Sequence, residues 1–251
     1  MRHAKKLMIG SLALLLGLST SVMAQSAPAT VTIANSPHNL NNVGVALPQQ
    51  QICLPCHTPH NSQFNGGDYI WNHTVDLSKS YTLYTAVHST RFSGSSPAPV
   101  LDTQSRLCLS CHDGAIAVDS YGAGGAPSAN STFMGTIADS FGTVGGGAVG
   151  GAAGNDLSSQ HPIGQVYPGS SPAAGTGALT WNSAKGSGYN DPTQSSFTAG
   201  GVGGSAVSLA VLPNGQYGVG CGTCHTPHTY TYKFVRMDNT GSALCLRCHN
   251  K

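Results

Sequence analysis

Eight cysteines fall into four Cys-x-x-Cys pairs, and a histidine follows each pair directly. The units are Cys53-Cys56-His57, Cys108-Cys111-His112, Cys221-Cys224-His225 and Cys245-Cys248-His249. Two thiols at this spacing can add to the two vinyl groups of a haem, and the adjacent histidine then ligates the iron from the proximal side. Two rival chemistries also use paired cysteines. Cys221, Cys224, Cys245 and Cys248 match the spacing of a zinc ribbon, and eight cysteines in an exported chain can form four disulfides. Neither rival requires a histidine after every pair, and only 11 of the 251 residues are His. The ribbon spacing also leaves the first two pairs unmatched, since Cys56 and Cys108 lie 52 positions apart. The pattern predicts four covalently bound haems of the c type.

Each iron then needs a sixth ligand. Apart from the four proximal histidines and His3 near the N-terminus, six remain: His38, His60, His73, His88, His161 and His228. Met134 and Met237 are the only other soft ligands past residue 24, and neither sits in a repeated context. Bis-histidine ligation is therefore expected. His60 and His228 each follow a proximal histidine by three residues, too short a tether to reach the far face of the same haem. They are assigned to the second haem of each pair, His60 to 108–112 and His228 to 245–249. His38 lies upstream of the first unit and His161 upstream of the third, and they are assigned to 53–57 and 221–225. His73 and His88 are weaker distal candidates, surface histidine being the ordinary state. Six-coordinate iron suits electron transfer, whereas a catalytic haem keeps an open or weakly held position. With nine Asp and no Glu, the chain also offers little for paired-carboxylate acid–base work. No catalytic residue and no enzyme activity are expected.

The elements that carry these groups repeat. Cys-x-x-Cys-His-Thr-Pro-His occurs at 53–60 and 221–228, and Leu-Cys-Leu-x-Cys-His at 107–112 and 244–249. The chain is read as four parts: a signal peptide at 1–24, an N-terminal two-haem module at 25–120, a Gly/Ala/Ser-rich connecting segment at 121–205 carrying His161, and a C-terminal two-haem module at 206–251. Arg2, Lys5 and Lys6 precede an apolar run from Leu7 to Leu18, and Val22-Met23-Ala24 resembles a cleavage site. No other segment is long and apolar enough to span a bilayer. Tyr81 to Thr90 reads as a strand, and Asn214-Gly215 as the turn of a hairpin leading into the third unit. The Gly-rich middle reads as loosely packed chain, since Gly145 to Gly154 lacks the lysine and hydroxyl ending of a phosphate loop.

Three of the 11 Lys and Arg lie in the leader, so eight remain against nine Asp. Haem propionates add further negative charge, which gives no reason to expect nucleic acid as a partner. Only 8% of residues are charged, a surface compatible with self-association. With 33 Gly, 14 Pro and 7% aromatics, the apolar centre is expected to be the porphyrins themselves, and the apoprotein to be largely unfolded.

On these residues the chain resembles the multihaem c-type cytochromes with doubled CxxCH motifs. The resemblance is closest over 221–249, and the Ser36-Pro37-His38-Asn39 and His161-Pro162-Ile163-Gly164 elements resemble distal-ligand loops of that group. It implies a mostly irregular chain wrapped around four haems, with short helices at the CxxCH sites and a few short strands. Within the group, an exported four-haem chain with so few charges is similar to the outer-surface tetrahaem cytochromes that polymerise into conductive filaments. That likeness implies an extracellular or cell-surface location, other copies of the chain and other redox cytochromes as partners, and an extracellular electron acceptor. It also implies that one iron takes its distal histidine, His60 being the candidate, from the next subunit. A discrete periplasmic or surface carrier is the alternative, and a multihaem reductase a more distant one.

Overall fold

The computed structural model describes residues 32–62, 69–84, 98–122, 132–137, 148–149, 154–174, 179–181, 189–191, 207–228, 232 and 234–250. The leader and His88 lie outside the described residues, as does most of the strand expected from Tyr81 to Thr90. The described part of that strand forms a single parallel bridge, Thr82 to Asp156. Among the described residues no helix is long and apolar enough to cross a membrane.

Regular structure is sparse and gathers at the Cys-x-x-Cys-His units. Helix α1 runs Thr103–His112, α2 Cys221–Cys224 and α3 Ala243–Leu246. Strands β1 (Ser170–Pro172) and β2 (Leu179–Trp181) pair antiparallel, as do β3 (Ala210–Val211) and β4 (Tyr217–Gly218). Short 3-10 turns occur at Ile33–Asn35, Leu40–Val43, Pro48–Gln50, Met134–Thr136 and Thr240–Ser242. Three of the four units thus carry a helix. The first does not: residues 53–57 make one isolated turn, closed by the His57 amide on the Cys53 carbonyl at 2.8 Å. The cause is local. Leu54 precedes Pro55, and the proline ring disfavours a helical backbone at the residue before it.

Helix α1 starts where Asp102, in an extended conformation, accepts the Ser105 amide at 2.9 Å, a carboxylate N-cap. Its buried face presents Ser105, Leu107, Leu109 and Ser110. Leu109 joins Leu83, Leu101 and Leu157 in one small apolar cluster, and Leu47, Leu54 and Tyr121 form another. For a chain of this length these are modest cores. Beyond the C-terminus of α1, Asp113 accepts from Lys79 at 2.7 Å and from the Tyr81 hydroxyl at 3.0 Å.

The hairpin expected at Asn214-Gly215 is present. Val211 pairs with Tyr217, and Gly215 takes φ +75°, a left-handed conformation that glycine adopts without strain. The strand β4 leads straight into α2. Residues 166–170 of the Gly-rich connection lie along this hairpin: Tyr167 donates its amide to the Tyr217 carbonyl at 2.8 Å, Ser170 Oγ donates to the same carbonyl at 3.1 Å, and Val166 bridges Gly218.

The two halves of the repeat interleave. Helices α1 and α2 pack directly, with the Cys221 amide donating to Ser105 Oγ at 2.8 Å. A side chain at Gly220 would collide with the Asp102 carboxylate, and one at Gly222 with the Gln104 amide. The close approach of the helices depends on those two missing Cβ atoms.

Candidate haem-binding sites

All eight cysteines are free thiols, so the disulfide alternative finds no support. Burial pushes Cys56 up to about 12 and Cys224 up to about 11, and it raises Cys111 and Cys248 as well. The Cys108 and Cys221 thiols act on one another, Cys108 being raised and Cys221 lowered. Among the described residues no three His, Cys, Asp or Glu side chains gather into a metal cluster. Each cysteine pair keeps its own histidine beside it in the chain, as covalent haem attachment requires.

The histidines give a sharper test. Three imidazole pairs face one another across the chain: His38 and His112 with ring centres 6.0 Å apart, His57 and His228 at 6.1 Å, and His161 and His249 at 6.3 Å. Two imidazole nitrogens about 2 Å either side of a metal put their ring centres roughly 6 Å apart. Each pair joins one proximal histidine to one distal candidate. In three of these rings Nδ1 already lies against a carbonyl oxygen: His57 on Tyr69 at 2.8 Å, His161 on Pro162 at 3.1 Å, and His38 on Pro227 at 3.3 Å. That contact fixes the ring and leaves Nε2 as the metal-facing nitrogen, the usual support for a ligating histidine. Burial, reinforced by His112, lowers His38 to about 4, so the ring is neutral and its lone pair available. The donor set fits haem iron.

The pairings differ from those drawn from spacing. His38 faces His112, the second unit, where proximity in sequence suggested the first. His228 faces His57 of the first unit, where the repeat suggested the fourth, and His161 faces His249, where the third was expected. The physical reason is the interleaving of the halves, which makes nearest in sequence a poor guide to nearest in space. His73 is wholly buried, with Nδ1 2.9 Å from the Thr74 carbonyl and Nε2 3.0 Å from that of Ala117. The ring lies between the carbonyls of two loops and, when neutral, donates its single N–H to one of them, which reads as a structural histidine. His60 is exposed and its ring meets no described imidazole; only its carbonyl is engaged, by Thr58 Oγ1 at 2.8 Å. His225 hydrogen-bonds the Phe234 carbonyl, and burial together with His112 lowers its pKa. No described imidazole faces it.

Several supporting residues carry no mark in the sequence. Trp71 stands edge-on to His57 at 5.7 Å, Phe234 stacks on His38 at 4.1 Å, and Tyr189 lies 5.6 Å from His249. The Tyr167 hydroxyl reaches the carbonyls of Asn190 at 2.6 Å and Cys248 at 3.0 Å, while Asn190 Nδ2 donates to the Leu246 carbonyl at 2.9 Å. The fourth unit is thus braced by the Gly-rich connection. A groove of about 420 Å³ lies along the first, lined by Gln50, Gln51, Ile52, Cys53, Leu54, His57 and Pro59.

The doubled CXXCH motif family model matches residues 214–251. No curated protein matches the chain. The matched segment holds the third and fourth units. The doubled motif indicates covalently bound haem c and supports a multihaem c-type cytochrome that transfers electrons.

Proposed function

We propose that the protein carries electrons through four covalently attached bis-histidine haems, as the repeating subunit of an extracellular conductive filament. The observation that carries this reading is the set of three imidazole pairs at 6.0, 6.1 and 6.3 Å, each combining a Cys-x-x-Cys-His histidine with one from elsewhere in the chain. When bound, each haem supplies a reversible one-electron change at iron. The residues of the chain do the rest. Cysteines would tether each macrocycle, the carbonyl contacts at Nδ1 of His38, His57 and His161 would hold those ligating rings, and a second imidazole at each iron would leave no open position for a substrate. No enzymatic step is proposed.

Assembly is supported by two histidines that stay unmatched among the described residues. His225 faces no described imidazole, while His60 is exposed at the position equivalent to His228. The Thr-Pro-His histidine of the second half serves the first unit of the first half. If the relation is reciprocal between copies, His60 of one copy serves His225 of the next. Such a head-to-tail contact is heterologous and continues into rings or open filaments. The sparse charge of the chain removes much of the repulsion that keeps molecules apart. Export through the N-terminal leader, loading by other redox cytochromes and discharge to an extracellular acceptor complete the proposal.

The test has two parts. Intact-mass measurement of the exported protein is expected to give the chain without residues 1–24 plus four haems, with low-spin spectra and no carbon monoxide binding after reduction. Electron microscopy of haem-staining material sheared from the cell exterior is expected to find thin filaments of this chain. Discrete particles recovered from the periplasm would overturn the filament and leave a tetrahaem carrier. A carbon monoxide-binding iron would point to a reductase.

A further inference from the structure

The second and third units are neighbours in space. The second lies on α1 and the third on α2, and the two helices pack directly.

The two halves are clamped where α1 meets α2. Ser105 Oγ donates to Asp102 at 2.5 Å and accepts the Cys221 amide at 2.8 Å. Ser105 is fully buried. Gly220 packs on the Asp102 carboxylate and on Ser105 Oγ, with no room for a methyl group. The thiol-bearing turns of α1 and α2 are therefore held together by a buried hydrogen-bonded cap and a glycine that permits contact. A second link joins the halves, the His57–His228 pair.

We infer that electrons pass between the two halves of the protein where α1 packs on α2, and that Ser105 and Gly220 are positioning residues for that crossing. The step is a one-electron exchange: a reduced iron at 108–112 is oxidised as the iron at 221–225 is reduced, with no bond made or broken. Electrons enter from a reduced c-type donor protein and leave to an oxidised acceptor. The inference rests on the haem reading above and deepens it.

The test uses the exported, haem-loaded protein, partly reduced, with NMR exchange spectroscopy resolving the individual haems. Ser105→Ala and Gly220→Ala are expected to slow exchange between the haems at 108–112 and 221–225 by about tenfold, given how steeply such steps depend on placement. Exchange within each half, haem content and low-spin spectra are expected to be unchanged. Leu109→Val loosens the core face of the same helix without touching α2, and is expected to leave the exchange rate as in the parent. A rate equally reduced by Leu109→Val would reassign Ser105 and Gly220 to general stability and overturn their role. Fastest exchange between the haems at 53–57 and 221–225 would overturn the crossing itself in favour of the His57–His228 link. Fewer than four haems, or high-spin iron in the parent protein, would instead break the haem reading.

Discussion

His60 and His228 occupy the same place in the same eight-residue repeat, Cys-x-x-Cys-His-Thr-Pro-His, yet they end differently. His228 stands 6.1 Å from His57, in the other half of the molecule, whereas His60 is exposed and faces no described imidazole. Identical local sequence has produced two fates because the surroundings differ. The second half is entered from a tight hairpin through α2, and the first from 3-10 turns with positive φ at Gln49 and Gln50. A repeat of sequence fixes what a residue can bind. Its partner is fixed by where the fold delivers it.

The largest effect concerns what delivers these histidines at all. Among the described residues the two apolar clusters contain four and three buried residues, so porphyrin faces are expected to supply much of the apolar contact. A chain exported in a strain lacking haem attachment is expected to show no cooperative thermal transition by circular dichroism, binding energy being folding energy here. A sharp melt in the apoprotein would mean that the chain alone holds both histidines in place, and the contrast between them would then be intrinsic to its packing.

Next comes the contrast itself. His228→Ala is expected to open one iron in each chain, turning about a quarter of the haem high-spin and carbon monoxide-binding whether or not the chains are assembled. His60→Ala is expected to leave the spectra of a dissociated chain unchanged and to abolish filaments. Identical spectra from the two variants in dissociated chains would erase the distinction.

The first half also holds a histidine without a counterpart. His73 is buried between the carbonyls of Thr74 and Ala117, and burial lowers its pKa against the opposing pull of those carbonyls, Asp113 and Asp119. The unfolded chain therefore takes up this proton more readily than the folded one. Stability contributed by the neutral ring is present above the ordinary value of 6.5 and falls as the pH drops below it. Thermal melts of the holoprotein from neutral to mildly acid pH are expected to show a decline that His73→Asn flattens. An unchanged slope would remove His73 as its source.

The attachment units were legible in the sequence because their chemistry is local: two thiols and an imidazole within five residues. So was the Asn214-Gly215 hairpin, whose turn residues specify their own backbone. The distal pairings were not legible. His38 reaches His112 and His161 reaches His249 only because α1 packs on α2 and the Gly-rich connection lies along the hairpin. Those contacts depend on a buried serine, two glycines and the hydroxyl of Tyr167, residue types too common to announce a role.

The smallest effects compare the entrances to the two halves. Asp102 caps α1 and braces Ser105 beneath Cys221, so Asp102→Ala removes a helix cap worth about 1–2 kcal/mol and strands a buried hydroxyl as well. Gly215 turns the hairpin that leads into α2, at φ +75° and with no atom near its missing Cβ. Gly215→Ala therefore meets only the backbone penalty of a left-handed residue, about 1 kcal/mol. Denaturant titrations of the holoprotein should place Asp102→Ala clearly below Gly215→Ala in stability. The order follows from position: Asp102 serves both halves at their shared contact, and Gly215 serves one. A reversed order would mean that the hairpin, rather than the α1–α2 clamp, holds the second half against the first.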